Sequence, residues 1–391
     1  MGLLRRRAGL LALPLLLALA GCQTLGEVAR RDRPEHPDGI EPQKVAPRRL
    51  PVEARIQLEK PAPLEVGTRQ RSGPVYDLRR DWLFVGTRGG KVFALDGDRL
   101  SERWVRDLGG AIDAPLLLDG DRLYAASARG LLFALDAATG RTLWEKDLGL
   151  ELGVRMVLAD GRLIVPSLGD SLTAVEAETG ELLWQHRNPS GSKLAIRGAS
   201  VPAVAGDRLV AAFADGTVAA FSVADGKQLW QRRHVTNTPF DDVDAGPVIH
   251  GDVAYYATYA GRVRGLALAD GETVWEAPGR HEGAVHLSLT GDRGGEKLLV
   301  LGSGEAVALR LVDGKVAWRA KLGEGDPTEA VLLGDELYIG ASDGSFYGLS
   351  RQSGRPIAFF APGKGVSAPA SPAGRGLWVF SNGGYLYRLG R

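Results

Sequence analysis

The stretch DRLYAASARGLLFALDAATGRTLW, from Asp121 to Trp144, recurs along this 391-residue chain and decides its fold. GRLIVPSLGDSLTAVEAETGELLW (161–184) and DRLVAAFADGTVAAFSVADGKQLW (207–230) match it in kind at nearly every position. Five further copies begin at Asp81, Asp252, Glu296, Asp335 and Arg375. A period of about forty residues is typical of a fold in which one supersecondary unit is repeated many times.

Each copy predicts one four-stranded antiparallel sheet. In the copy quoted first, DRLYAAS and LLFALD are β-prone runs joined by the turn ARG, TLWEKDL follows the turn ATG, and APLLLDG precedes them from Ala114. Short β-prone runs separated by glycine-containing turns predict hairpins. Four strands in each of eight units predict an all-β, eight-bladed β-propeller.

The eighth copy lacks a fourth strand, because the sequence ends after YLYRLGR. The segment VEARIQLEKPAPLEV (Val52–Val66) is β-prone and belongs to no complete unit. We therefore expect an N-terminal strand from this segment to complete the last blade and close the ring, which would remove an unpaired sheet edge.

Tryptophans recur at one fixed place in the unit, at intervals of 40 to 46 residues. In copies two to six, each lies four residues after a glycine. A large ring at one place in every blade can pack against the neighbouring blade. We interpret these residues as structural rather than catalytic, and in the seventh copy Ala358 holds the position with Phe359 beside it as a candidate substitute. The six are Trp104, Trp144, Trp184, Trp230, Trp275 and Trp318.

The first 22 residues have the pattern of an export signal. Arg5–Arg7 are basic, Leu10–Ala20 are apolar, and the apolar run is too short to span a bilayer as a helix. The closing tetrapeptide LAGC resembles the lipobox of bacterial lipoproteins. That resemblance implies cleavage before Cys22 and acylation of Cys22, for example with palmitate. Gln23, where an aspartate would imply retention at the inner membrane, implies the periplasmic face of the outer membrane.

The residues after the signal are charged, contain prolines and have few large apolar side chains. Such a segment buries too little surface to offset the entropy of ordering, so it predicts a flexible tether. The predicted organisation is therefore a signal peptide over 1–21, the lipidated cysteine with its tether over 22–50, and the propeller over 51–391.

Two families resemble this chain. The corner TG-x-x-x-W is similar to the repeat of pyrroloquinoline-quinone (PQQ) dehydrogenases, and the order of lipobox, tether and eight blades resembles the BamB family of outer-membrane protein assembly lipoproteins. In that family an L-x-L-R-G segment and a D-V-D segment precede the first strands of successive blades. Leu194, Ile196 and Arg197 match the first, with isoleucine replacing the second leucine, and Asp242 and Asp244 match the second.

The second resemblance implies that these two connections dock a POTRA domain of BamA. It implies a non-catalytic scaffold that assists the insertion of β-barrel proteins, acts as a monomer within a hetero-oligomeric complex, and also contacts unfolded outer-membrane clients.

The residues themselves leave two interpretations of the first connection open. Leu194 and Ile196, framed by charge, have the composition of interface anchors with a polar surround. Alternatively, both side chains extend an inner strand into the core while Arg197 pairs with Asp242 or Asp244 inside the monomer. Insertions relative to a repeat often mark function, which favours the first interpretation.

The alternative function is that of a PQQ-dependent quinoprotein dehydrogenase. Many members of that family carry a disulfide between adjacent cysteines, which a chain with the single cysteine Cys22 cannot form. DDVDAGPVIHGD (241–252) lacks the ligand spacing of a calcium loop, and the six histidines lack metal-site spacing. Catalytic serine and phosphate-loop motifs do not occur, and 48 basic against 47 acidic residues give no reason to expect nucleic acid. We predict that the protein is not an enzyme and holds no metal or cofactor.

Overall fold

The computed structural model describes residues 46–60, 69–188, 200–233, 243, 245–279, 281, 283–291, 296–302, 304–342, 344–374 and 376–391. This part of the chain is built from β-strands and turns. It includes no helix with the length and apolar character needed to cross a bilayer.

The described strands form eight sheets, which we number as blades in chain order. Two strands precede the repeats, β1 (Arg48–Arg49) and β2 (Val52–Gln57). Blade 1 contains β3 (Val75–Asp77), β4 (Trp82–Gly86), β5 (Lys91–Asp96) and β6 (Glu102–Asp107). Blade 2 contains β7 (Leu117–Asp119), β8 (Arg122–Ala126), β9 (Leu131–Asp136) and β10 (Thr142–Asp147). Blade 3 contains β11 (Val157–Ala159), β12 (Arg162–Pro166), β13 (Ser171–Glu176) and β14 (Leu182–Arg187). Blade 4 contains β15 (Ala203–Ala205), β16 (Arg208–Ala212), β17 (Thr217–Ser222) and β18 (Gln228–Arg233).

The second half of the ring continues the pattern. Blade 5 contains β19 (Ala245–His250), β20 (Val253–Ala257), β21 (Val263–Ala267) and β22 (Thr273–Glu276). Blade 6 contains β23 (Ala284–Leu289), β24 (Lys297–Gly302), β25 (Glu305–Arg310) and β26 (Val316–Lys321). Blade 7 contains β27 (Val331–Leu333), β28 (Glu336–Gly340), β29 (Phe346–Ser350) and β30 (Pro356–Phe360). Blade 8 contains β31 (Ser371–Ala373), β32 (Gly376–Phe380) and β33 (Tyr385–Leu389), with β2 as its fourth strand.

Within each blade we call the strands A, B, C and D in their order across the sheet. The A strands of neighbouring blades contact one another, for example β15 with β19 and β3 with β31, so they surround the axis of the ring. The predicted all-β, eight-bladed propeller of four-stranded antiparallel sheets is therefore confirmed.

The N-terminal strand closes the ring as the sequence predicts. β2 pairs antiparallel with β33, with Val52 opposite Leu389 and Gln57 opposite Tyr385. The backbone N–H of Leu58 continues the ladder by donating to the Gly384 carbonyl at 2.9 Å. The C strand of the last blade, β33, is therefore paired on both sides.

One strand was not predicted from the sequence. β1 pairs in parallel with the outer edge of β30, so blade 7 has five strands instead of four. The side chain of Arg48 forms an ion pair with Glu336 at 2.9 Å, and Leu50 is buried. Residues 48–50, assigned to the tether in the sequence analysis, thus pack on the propeller. The other boundaries of the tether stay a prediction.

A β-bulge turns each blade tryptophan toward the next blade. In blade 2, Trp144 lies opposite Ala134 and Thr142 opposite Leu135, so Leu143 is an extra residue in the D strand. The D strands of blades 1 and 3 to 6 have the same irregularity one residue before the tryptophan. A bulge of this kind re-aims the following side chain.

Each of these tryptophans is held by the C–D turn of the following blade. The indole N–H of Trp184 donates to the Val223 carbonyl at 3.0 Å, and Gly226 lies flat against the ring. A Cβ atom at Gly226 would lie 2.6 Å from the indole Cδ2, so only glycine fits there without displacing the ring. The other five joints pair Trp104 with Gly140, Trp144 with Gly180, Trp230 with Gly271, Trp275 with Gly314 and Trp318 with Gly354.

The two joints beside the closure use leucines instead. Blade 7 has Ala358 in the tryptophan position, and the side chain of the next residue, Phe359, is half-buried. Leu50, 1% exposed, lies in the apolar cluster that joins blades 7 and 8 and includes Ala358. Between blades 8 and 1, Leu100 takes the place of the turn glycine, has a φ of 54° and packs against blade 8.

Candidate docking rim

The two rims of the propeller differ in what they carry. One holds the B–C turns and the connections from each D strand to the next A strand; we call it the connection rim. There the N–H of Ile112, in the connection to blade 2, donates to the Thr87 carbonyl in the B–C turn of blade 1 at 3.0 Å. The other holds the A–B and C–D turns, joined by bonds such as Ala137 N–H to the Asp121 carbonyl at 2.9 Å; we call it the turn rim.

The predicted functional residues lie outside the described part of the chain. This applies to the lipidation site Cys22 and to the five predicted partner-binding residues Leu194, Ile196, Arg197, Asp242 and Asp244. The six blade tryptophans are described, at the joints given above. What the structure does give is the position of the strands that follow both predicted connections.

The A strands of blades 4 and 5 begin side by side on the connection rim. A Cβ atom at Gly246 would lie 2.7 Å from the Val201 carbonyl oxygen and 3.0 Å from the Cβ of Ser200. Ser200 donates its hydroxyl hydrogen to the Ala212 carbonyl at 3.0 Å, and the side chain of Val243 is buried. The described ends of the two connections therefore lie close together and are fixed by the core.

A buried polar network holds the start of the first connection. The side-chain amide of Asn188 donates to Asp215 Oδ1 at 3.1 Å, and its backbone N–H donates to the Asp170 carbonyl at 3.0 Å. Asp170 in turn accepts hydrogen bonds from the Ala214 N–H at 3.3 Å, across the joint between blades 3 and 4. Buried carboxylates need such partners, so this network fixes the last described residue before position 189.

Sequence reasoning missed the residues of this network. Asp170 and Asp215 belong to Gly-Asp and Asp-Gly pairs, which recur along the chain and are typical of hairpin turns. Asp170 has a φ of 56°, and its carboxylate and that of Asp215 are nearly inaccessible to solvent. The one signal that could have identified them is their place beside the longest insertion in the repeat.

His281 is a buried histidine in the connection between blades 5 and 6. Its side chain is 6% exposed, and neither ring nitrogen has a hydrogen-bond partner in the described structure. Burial, with a smaller contribution from the Arg319 guanidinium, lowers the pKa of His281 to about 4. The imidazole is therefore neutral at neutral pH. The described residues contain no group of three or more His, Cys, Asp or Glu side chains placed to share a metal ion.

The shifted pKa predicts a pH dependence of stability. The unfolded chain takes up a proton at His281 near the ordinary value of 6.5, whereas the folded chain does so only near 4. The contribution of neutral His281 to the free energy of unfolding is therefore fully present above pH 6.5. About 3 kcal/mol of that free energy should be lost as the pH falls from 6.5 to 4. Urea unfolding across this range should show a smaller loss for His281→Leu than for the unmodified chain. Equal losses would contradict the assignment.

The sequence matches a known family over most of its length. A model of the family described as outer membrane protein assembly factor BamB matches residues 101–266 and 259–382. The BamB of Legionella pneumophila (strain Paris) is 29% identical over 212 residues, which are 52% of this chain and 53% of that protein. The BamB of Salmonella typhimurium is 28% identical over 173 residues, 42% of this chain and 43% of that protein. The chain thus spans about half the length of the curated relatives it matches.

Solved structures show the same architecture. BamB from Moraxella catarrhalis superposes with a TM-score of 0.73 at 20% identity, covering 88% of this chain and 100% of that one. The quinohemoprotein alcohol dehydrogenase from Comamonas testosteroni superposes with a TM-score of 0.70 at 14% identity, covering 88% of this chain and 77% of that one. At these identities the likeness is one of fold.

Proposed function

We propose, because this chain belongs to the family of outer membrane protein assembly factor BamB, that it is a non-catalytic scaffold lipoprotein that assists the assembly of outer-membrane β-barrel proteins. The family match over residues 101–382 is the observation that carries this proposal. The likeness to a quinohemoprotein dehydrogenase is of fold alone, and no contact in the described structure favours a dehydrogenase over a scaffold.

The proposed docking surface for a POTRA domain of BamA comprises Leu194, Ile196 and Arg197 from one connection and Asp242 and Asp244 from the next. The adjacency of Ser200 and Gly246 supports it, because the strands that follow the two connections start together on one rim. Two apolar side chains surrounded by charge suit a docking patch in which anchors are buried and the charges set register.

The proposed location is the periplasmic face of the outer membrane, with Cys22 acylated and residues 22 to about 47 as tether. Arg48 supports this arrangement. Its ion pair with Glu336, the residue after the A–B turn of blade 7, places the first described strand near the turn rim. β1 therefore begins near the turn rim, whereas the A strands that follow the two proposed docking connections begin at the connection rim.

Contacts with unfolded barrel clients are a second part of the proposal. Apolar bulge residues on the outer strands of blades 2 to 5 are exposed, namely Leu143, Leu183, Leu229 and Val274. β1, added to the edge of β30, is an example within this chain of an extra strand on a blade edge. Exposed edges with apolar side chains can accept an extended segment by strand addition.

Two substitutions test the docking surface. Arg197→Ala and Asp244→Ala should each weaken binding of purified BamA by about 1–3 kcal/mol, because an interfacial charge loses its partner. The melting temperature should hardly change. Arg106→Ala, at an exposed position on the outer strand of blade 1, serves as the matched control and should leave binding unchanged.

Two results would contradict this surface. Unchanged affinity in both variants would exclude these connections as the docking site. A large fall in melting temperature without a selective loss of binding would instead favour an ion pair of Arg197 with an aspartate inside the monomer.

A further inference from the structure

Some ion pairs of the rims join neighbouring blades, and one joins opposite blades. On the turn rim they run along the circumference, as in the pairs Arg80–Asp121 between blades 1 and 2 and Arg122–Glu178 between blades 2 and 3. On the connection rim, Arg155 Nη2 lies 2.7 Å from Glu329 Oε2, and these residues belong to blades 3 and 7. In a ring of eight, blades 3 and 7 face each other, so this ion pair crosses the central channel.

The backbone register places both residues at the same position of their blades. Val157, the first residue of β11, lies opposite Ile164 in the middle of β12, and Val331, the first of β27, lies opposite Tyr338 in the middle of β28. Arg155 and Glu329 each precede that first residue by two. Both therefore stand where the connection enters the A strand, at the mouth of the channel.

At the corresponding position, the opposed blades 1 and 5, 2 and 6, and 4 and 8 do not combine an acidic with a basic side chain. Neighbouring backbones approach closely at this position, since a Cβ at Gly73 would lie 2.4 Å from the Pro369 carbonyl oxygen. Long side chains can then only extend toward the axis. The corresponding residues in blades 1, 2, 4, 5, 6 and 8 are Gly73, Pro115, Val201, Gly246, His286 and Pro369.

The connection that carries Glu329 is anchored at two residues that precede it. The Gly340 N–H donates to the hydroxyl of Thr328 at 2.9 Å, and Thr328 is buried. Asp326 forms an ion pair with Arg69 at 2.6 Å, which links this connection to the segment that enters blade 1. A fixed backbone lowers the entropy lost when Glu329 meets Arg155.

The carboxylate of this pair is more buried than the carboxylate of a turn-rim pair. The side chains of Arg155 and Glu329 are 35% and 26% exposed, whereas those of Arg122 and Glu178 are 38% and 75% exposed. Partly buried charges are screened less by salt, and loss of one partner leaves the other charge poorly solvated.

We propose that Arg155 and Glu329 form a brace across the central channel, which closes its mouth at the connection rim and fixes the spacing of blades 3 and 7. The brace does not depend on the proposed function, because it concerns contacts within one chain.

Charge exchange in the full chain tests the brace. Arg155→Glu and Glu329→Arg should each lower the melting temperature by about 3 °C or more, since like charges then face each other across the channel. The double exchange should restore most of the loss. The matched control is the pair Arg122 and Glu178, whose single exchanges should have less than half of that effect. Absence of rescue by the double exchange would overturn the proposal.

Crosslinking provides a measurement that does not depend on stability. In the full chain with Cys22→Ser, which leaves no other cysteine, Arg155→Cys and Glu329→Cys should be joined within one molecule by a short bismaleimide. Peptide mass spectrometry detects the product. Arg122→Cys with Glu329→Cys, from opposite rims, should give none. Failure to crosslink positions 155 and 329 in the folded chain would also overturn the brace.

Discussion

Gly226→Ala should lower the free energy of unfolding by about 3–4 kcal/mol, whereas Gly206→Ala in the same blade should lower it by about 1 kcal/mol. Both glycines have positive φ, 70° and 58°, so both substitutions carry the penalty of a left-handed backbone. Only Gly226 faces an obstacle: its added Cβ would lie 2.6 Å from the Trp184 ring, whereas a Cβ at Gly206 meets nothing within 4 Å. Urea unfolding followed by tryptophan fluorescence would measure the difference.

A double substitution separates the clash from the backbone effect. Trp184→Leu removes the indole face, so Gly226→Ala in that background should cost little more than Gly206→Ala does in the unmodified chain. The two substitutions should therefore be coupled by about 2 kcal/mol. Equal losses for the two glycine variants, or no coupling between Trp184→Leu and Gly226→Ala, would show that the ring does not constrain Gly226.

The propeller could be predicted from the repeat because every blade has the same sequence pattern. The residues before Trp144 and before Trp184 share one pattern of apolar runs and turn glycines, and that pattern fixes strand number and order. The closing strand was predictable for a related reason, since an incomplete last copy needs a partner. The sequence also shows the glycine four residues before each tryptophan. Its contact with the tryptophan of the preceding blade could not be predicted, because spacing along the chain does not show which side chains of neighbouring blades meet.

Features that occur once could not be predicted in the same way. Leu50 lies in a charged, proline-bearing segment, and only the space left by Ala358 gives it a role. Arg155 and Glu329 are 174 positions apart and lie in unrelated contexts, so their meeting across the channel depends on the number of blades. The predicted docking residues rest on a motif resemblance, to which the structure adds the neighbouring positions of Ser200 and Gly246.

Leu50→Ala should destabilise the propeller by about 4 kcal/mol, within the range for truncation of a fully buried leucine. Leu50 is 1% exposed and lies in a cluster with Tyr338, Ala358 and Leu389, where it fills a joint that has no blade tryptophan. Its removal leaves a cavity between blades 7 and 8, beside the closing strand. Val52→Ala, at a 45% exposed site on β2, is the control and should cost about 0.5 kcal/mol.

The reason for this loss can be tested by placing a larger side chain at Ala358, the position that a tryptophan holds in other blades. Ala358→Leu alone should destabilise, because Leu50 already occupies the space and extra volume in a packed core is strained. In the Leu50→Ala background the same Ala358→Leu substitution should be stabilising, because the added side chain enters the cavity. A change of sign between the two backgrounds is expected only if both side chains compete for one volume. If Ala358→Leu destabilises both backgrounds equally, Leu50 contributes through the pairing of β1 and not through the volume that a tryptophan fills elsewhere in the ring.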